Sequence, residues 1–157
     1  MQKNNPFVIE PPCSDDLPEM LALLSANDLP TDGVAALFDW AVVARSATGL
    51  AGMAAVEPCE VDALLRSVVV DVRYRGMGLG QQLTAAAREQ ARRAGFRDLY
   101  LLTTTAPGFF AERGFCIILR SEVPLGVQVS AEFSLLCPAT ATVMRLPLHD
   151  EPGRRAG

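Results

Sequence analysis

Val68-Val69-Val70-Asp71-Val72-Arg73-Tyr74-Arg75-Gly76-Met77-Gly78-Leu79-Gly80-Gln81 is the stretch that decides the fold. An apolar strand runs into an Arg-Gly-x-Gly-x-Gly loop, and the loop runs into a helix. That order builds an anion site. Glycines let the backbone turn so that successive N–H groups point at one spot. The helix that opens at the last glycine adds the positive end of its dipole. Arg75 adds a full charge and a planar donor fork. A diphosphate fits such a cradle, formed by Arg75, Gly76, Met77, Gly78, Leu79, Gly80 and Gln81. The competing reading is a plain strand-to-helix turn.

The spacing rules out a Walker loop and makes a poor dinucleotide fingerprint. No Gly-Lys-Ser/Thr follows, so a Walker loop is absent. A dinucleotide fold places an acidic ribose ligand about 20 residues on, and here that position falls in Gly95-Phe96-Arg97. Upstream of the loop, Ala63 to Val72 is nearly continuously apolar, as in a central strand covered on both faces. Downstream, Leu79 to Ala94 is helical. Leu79, Leu83, Ala87, Ala91 and Ala94 line one face, Gln82, Arg88, Glu89, Arg92 and Arg93 face water, and Gly95 stops the helix. Asp98 to Thr104 follows directly as a second buried strand, which predicts a right-handed parallel βαβ unit.

Further out, Phe7-Val8-Ile9 reads as a first strand. Ser14-Asp15-Asp16 opens a helix by N-capping, with acidic residues in the first turn, and its apolar face is Leu17, Met20, Leu21 and Leu24. Thr31-Asp32 caps a second short helix through Leu37-Phe38. Trp40 to Ala44 and Leu50 to Val56 form a hairpin about Ala47-Thr48-Gly49. Gly52 marks a close approach, and Glu57-Pro58-Cys59-Glu60 is the next turn. Beyond the βαβ unit come a short helix, Ala106 to Arg113, stopped by Gly114, and strands Phe115 to Leu119 and Ala139 to Leu146.

At 157 residues one domain is expected, spanning 1–147, with 148–157 as a disordered polar tail. Hydrophobic content of 50% with 20% charged residues suits a soluble globular chain. A net charge of −4 argues against nucleic-acid and anionic-membrane binding. No apolar run reaches membrane-spanning length, and Met1 to Pro6 lacks a signal-peptide core; a cytoplasmic location is the expectation. Cys13, Cys59, Cys116 and Cys137 are scattered, and the single histidine, His149, lies in the tail. The reading is therefore no metal, no disulfide framework and no histidine triad.

The loop resembles the Arg/Gln-x-x-Gly-x-Gly/Ala motif of the GNAT acetyltransferases, with Arg75, Gly78 and Gly80 at the motif positions. The element order from Phe7 to Leu146 is similar to that family's, and Phe110-Ala111-Glu112-Arg113-Gly114-Phe115 resembles its aromatic-x-x-x-Gly-Phe ending. Leu64 to Val68, Leu101 to Ala106 with Phe109-Phe110, and Ser130 to Phe133 with Leu136-Cys137-Pro138 resemble the ArsN-type branch. That branch is associated with arsenic resistance operons and is similar to N-acetylglutamate synthase domains. The resemblance implies an α/β (α+β) fold with a mixed central sheet flanked by helices and a splay between its two central parallel strands. It implies acetyl-CoA as co-substrate without a metal, and a small-molecule amine acceptor, an amino acid or an analogue of the phosphinothricin kind. A homodimer is a candidate state.

The resemblance also assigns roles. Backbone groups of Val68 and Val70 bond pantetheine, the Val69 N–H polarises the thioester carbonyl, and Phe110 flanks the cofactor arm. Phe110 stands where the family often has a tyrosine that protonates the thiolate, and Leu64 stands at its usual acidic position. Candidate bases are Glu57, Glu60 and Glu132. Arg66 interrupts a buried apolar strand and needs an anion; a substrate carboxylate and an internal salt bridge to Glu57 both satisfy that need. Ser67, Thr103 and Thr104 offer hydroxyls near the transfer point, against plain strand-end bonding. Cys137 lines the acceptor pocket or packs in the core. The missing tyrosine and acid keep an acetyl-CoA sensor open, and a peptide or protein N-acetyltransferase is the third reading.

Overall fold

Apolar residues dominate the strands on either side of the glycine loop and its helix, and the strands join into one mixed sheet. The structure, a computed structural model, describes residues 5–130, 133 and 139–149. The strands are β1 (Val8–Glu10), β2 (Ala41–Ser46), β3 (Gly49–Cys59), β4 (Asp62–Val70), β5 (Asp98–Thr103), β6 (Cys116–Ile118) and β7 (Thr142–Pro147), in the order β1-β2-β3-β4-β5-β7-β6. The helices are α1 (Leu17–Ala26), α2 (Leu79–Arg93), α3 (Pro107–Glu112) and α4 (Leu125–Gln128). No helix of the described residues is long and apolar enough to cross a membrane. The chain divides into two compact units: residues through Val56 with Ser67–Ala87, and Glu57–Arg66 with the residues from Arg88 onward.

In the first unit, β1 and β2 pair antiparallel, as do β2 and β3. Its core gathers Met20, Leu24, Val34, Val43, Leu50, Met53 and Val69. Asp16 secures the 3-10 turn Ser14–Asp16 that leads into α1, and Cys13 rather than Ser14 is the cap residue of that turn. The Asp16 carboxylate accepts the Cys13 N–H at 2.7 Å and meets Arg45 Nη2 at 2.8 Å. A carboxylate satisfies the orphan amide and takes an arginine as well, which a hydroxyl does less well. The end of α1 reverses at Asp28, whose φ is 58°. Leu29 N–H bonds Leu24 O at 3.0 Å and Asp28 N–H bonds Ser25 O at 3.2 Å, which closes the helix C-terminus. The expected second helix is a 3-10 run, Ala35–Trp40, and it takes Trp40 out of β2. Buried Val34 and Leu37 are three residues apart, which suits a three-residue turn. Gly52 is confirmed as a close approach: a Cβ there would lie 2.7 Å from Val69 O and 2.8 Å from Leu83 Cδ1.

In the second unit the parallel register joins Ala63 to Leu99 and Leu64 to Tyr100. β7 lies antiparallel between β5 and β6. β3 runs to Cys59, three residues beyond the expected end at Val56, and Glu60, with φ of 62°, makes the turn. Pro58 is exposed, a setting in which a strand tolerates a residue without an N–H. Cys59, Leu64, Tyr100, Val123, Val127 and Val143 form the core. The 3-10 turn Arg120–Glu122 and α4 had no counterpart in the sequence reading, because both are too short for a periodic pattern. Ala94 is exposed rather than inward, since α2 ends at Arg93. Residues 139–140 form a turn, so β7 begins later than expected. Leu148, assigned to the polar tail, is buried, and its N–H bonds Arg97 O at 3.1 Å. Residues 150–157 lie outside those described.

Candidate functional site

The glycine loop belongs to the first unit, and its approach is tightly held. After β4, Asp71 N–H bonds Ala51 O at 2.8 Å. The Asp71 carboxylate then accepts the Arg73 N–H at 2.9 Å and pairs with the Arg73 guanidinium at 3.1 Å. This opens a 3-10 turn, Val72–Tyr74. The Arg73 guanidinium holds the Asp71 carboxyl below the usual carboxylate range. The Tyr74 ring stands edge-on to Phe7 at 5.4 Å. Its hydroxyl lies 3.4 Å from Ser46 Oγ and 3.2 Å from Thr48 Oγ1, and bonding to these hydroxyls, Ser46 first, draws the phenol below its ordinary pKa. Sequence reasoning missed Asp71 and Tyr74 as anchors; the available signal was an aspartate closing a strand, a common turn opener.

Gly76 and Gly78 adopt φ of 81° and 78°. A Cβ on either would meet no atom within 4 Å. Glycine is needed there for the left-handed backbone, and the space beside the loop is open. Gly80 lies in the first turn of α2, next to buried Leu79. Arg75, Met77 and Gln81 are exposed. Two nitrogens of the Arg75 guanidinium are held: Nε donates to Val70 O at 3.2 Å and Nη2 donates to Asn27 Oδ1.

The strand leading into the loop is irregular. Ser67 has φ of 58° inside β4, an uncommon state for a residue with a side chain, which costs about 1–3 kcal/mol. Burial is continuous from Asp62 to Ser67 and alternates only beyond it: Val69 is buried, while Val68 and Val70 are half-buried. Nothing in the sequence marked this kink, because glycine or asparagine is the usual sign of it.

In the second unit, Arg66 is 3% exposed and its Nη1 donates to Glu57 Oε1 at 2.9 Å. The internal salt bridge to Glu57, one of the two readings of Arg66, is formed. Glu60 is exposed in its turn. Thr103 Oγ1 accepts the N–H groups of Ala106 at 3.0 Å and Thr105 at 3.4 Å, so its hydroxyl secures the start of α3. Thr104 is exposed. Phe110 is buried and meets the rings of Phe109 at 5.0 Å and Phe115 at 5.8 Å, edge to face. Leu64 is fully buried. Glu132 and Cys137 lie outside the described residues.

The sequence pattern of the family described as acetyltransferase (GNAT) domain matches residues 39–117, half of the chain. The chain belongs to the GNAT acetyltransferases. The matched segment runs from β2 through the glycine loop, α2 and β5 to β6. Over 69 residues this GNAT chain is 36% identical to an amino-acid acetyltransferase from Aeromonas salmonicida, which covers 44% of the chain and 16% of that protein. It is similar in fold to N-acetylglutamate synthase from Neisseria gonorrhoeae, solved with coenzyme A and N-acetyl-glutamate. That match has a TM-score of 0.79 at 22% identity and covers 94% of this chain and 36% of that one. Rv2747 from Mycobacterium tuberculosis, solved with CoA, matches with a TM-score of 0.77 at 21% identity, covering 89% of this chain and 98% of that one. The chain thus spans about a third or less of the synthase and acetyltransferase relatives.

Proposed function

We propose that this GNAT chain transfers acetyl from acetyl-CoA to the amine of a small acceptor of the amino-acid class. The open glycine loop, with Gly76 and Gly78 left-handed at the N-terminus of α2 and Arg75 beside them, carries the reading. Backbone amides from Gly76 to Gln81 hold the diphosphate, with the helix dipole behind them. Val68 and Val70 pair with the pantetheine arm as an added strand would. Acetyl-CoA supplies an already activated acyl group. The Val69 N–H stabilises negative charge on the carbonyl oxygen, and the kink at Ser67 re-aims the amides of this stretch toward that task.

An alkylammonium has a pKa near ~10, so the acceptor must lose a proton before it attacks. Glu57, held at 2.9 Å by Arg66, takes that proton through water in this reading, with Glu60 and Glu132 as the other candidates. Phe110 carries no proton to give, and a thiolate leaves without one because its pKa is about 8.5. The amino-acid class is supported by the amino-acid acetyltransferase relative and by the fold likeness to N-acetylglutamate synthase. The arsenic association rests on the short ArsN-like patches alone.

The test is acetyl-CoA-dependent release of free CoA across amino acids, phosphinothricin-type analogues, polyamines and short peptides. Turnover confined to amino-acid-like acceptors is the expected result. Turnover with peptides only would replace the acceptor class. CoA binding with no turnover would favour a sensor. Arg66→Ala separates two roles: a raised KM for the acceptor with the fold intact supports an acceptor-facing pair, and loss of stability alone leaves only the salt bridge.

A further inference from the structure

We infer that Asn27 is a positioning residue for the diphosphate arginine, an inference that rests on the acetyl-CoA reading of the glycine loop. Arg75 is exposed and has a long flexible side chain, so its use as an anion ligand depends on what fixes it. Two groups do so. Val70 O, on its own strand, takes Nε at 3.2 Å. Asn27 Oδ1, far away in sequence, takes Nη2.

Asn27 is built to do this. It is the C-cap of α1, and its N–H bonds Leu24 O at 3.1 Å. The reversal at Asp28 and Leu29 fixes the backbone on its far side. The side-chain amide is oriented as well: Nδ2 donates to Leu23 O at 2.9 Å, which turns Oδ1 away from that carbonyl and toward the arginine. One amide thus joins a helix carbonyl to a guanidinium. The C-terminus of α1 carries the negative end of its dipole, which favours a cation at this place. Only part of the fork is used by Asn27 and Val70, and the remaining N–H groups of the five are the ones available to a diphosphate. Pre-fixing the guanidinium reduces the side-chain entropy lost when the anion binds.

The experiment is a double-mutant cycle on the full chain, with Asn27→Ala, Arg75→Ala and the double variant. CoA affinity is read by calorimetry, and KM and kcat by CoA release. Asn27→Ala is expected to weaken CoA binding about threefold to tenfold, the size of one lost hydrogen bond, and to leave the acceptor KM unchanged. In the Arg75→Ala background the same change is expected to have no further effect. If Arg75→Ala weakens binding while Asn27→Ala does not, or if the two effects simply add, the positioning role is overturned and the cradle reading stands. If Arg75→Ala leaves CoA affinity unchanged, the cradle reading falls and takes this inference with it. A thermal melt of each variant separates lost folding from lost positioning, because Asn27 also caps α1.

Discussion

Gly52→Ala puts a methyl group where β3 passes closest to the strand that enters the glycine loop. The added carbon would lie 2.7 Å from Val69 O and 2.8 Å from Leu83 Cδ1, against 3.4 Å for ordinary contact. Leu83 can rotate, but the Val69 carbonyl is backbone and must retreat by about 0.7 Å. Overpacking of this kind costs about 1–3 kcal/mol. Alanine recovers roughly 0.5–1 kcal/mol, because glycine is the poorer strand residue. The net loss is about 1–2 kcal/mol, which for a chain of this size lowers the melting temperature by roughly 2–8 °C. The same displacement moves the backbone proposed to face the thioester, so CoA affinity should fall in parallel. Thermal melts and CoA titration check both. Gly108→Ala is the control: nothing lies within 4 Å of its added carbon, and it sits in α3. It should gain up to about 1 kcal/mol. A Gly52→Ala protein that melts no lower than the parent would refute the packing argument.

Three further outcomes are expected. Asp28→Gly relieves a left-handed aspartate at the unfavourable negative end of α1, and should raise stability by about 0.5–1 kcal/mol in a urea titration. The Arg45 guanidinium beside Asp16 holds its carboxyl below the usual range, so the stabilisation is complete above the unfolded pKa of about 3.9 and disappears as the pH falls through the lower folded value. Asp16→Asn should therefore cost about 1–3 kcal/mol at neutral pH, and its gap from the parent should shrink under acid, as read from urea midpoints across pH. Thr103→Val removes the acceptor for Ala106 and Thr105 and should cost about 1 kcal/mol of stability with KM unmoved; a large loss of turnover in a fully stable variant would give the hydroxyl a direct role instead.

Local chemistry made much of this protein legible from its residues alone. Gly76-Met77-Gly78 before an alanine-rich helix face admits few backbones, because glycine is what populates left-handed turns and Leu79, Leu83, Ala87 and Ala91 fall on one side of a 3.6-residue spiral. The parallel β4–β5 pair follows from the handedness of a strand–helix–strand crossover. Short elements escaped that logic. The turn at Arg120–Glu122 and the four-residue α4 have no period to read. Side-chain partners escaped it too. That Arg66 meets Glu57, that Thr103 holds the start of α3, that Ser67 bends β4 through a left-handed residue and that Asn27 reaches Arg75 are consequences of distant segments arriving at one place. Glycine turns and helical periods are set by residue type and by neighbours along the chain, and a sequence shows those. The partner of a buried charge or of a free fork is set by three-dimensional packing, and only the folded chain decides it.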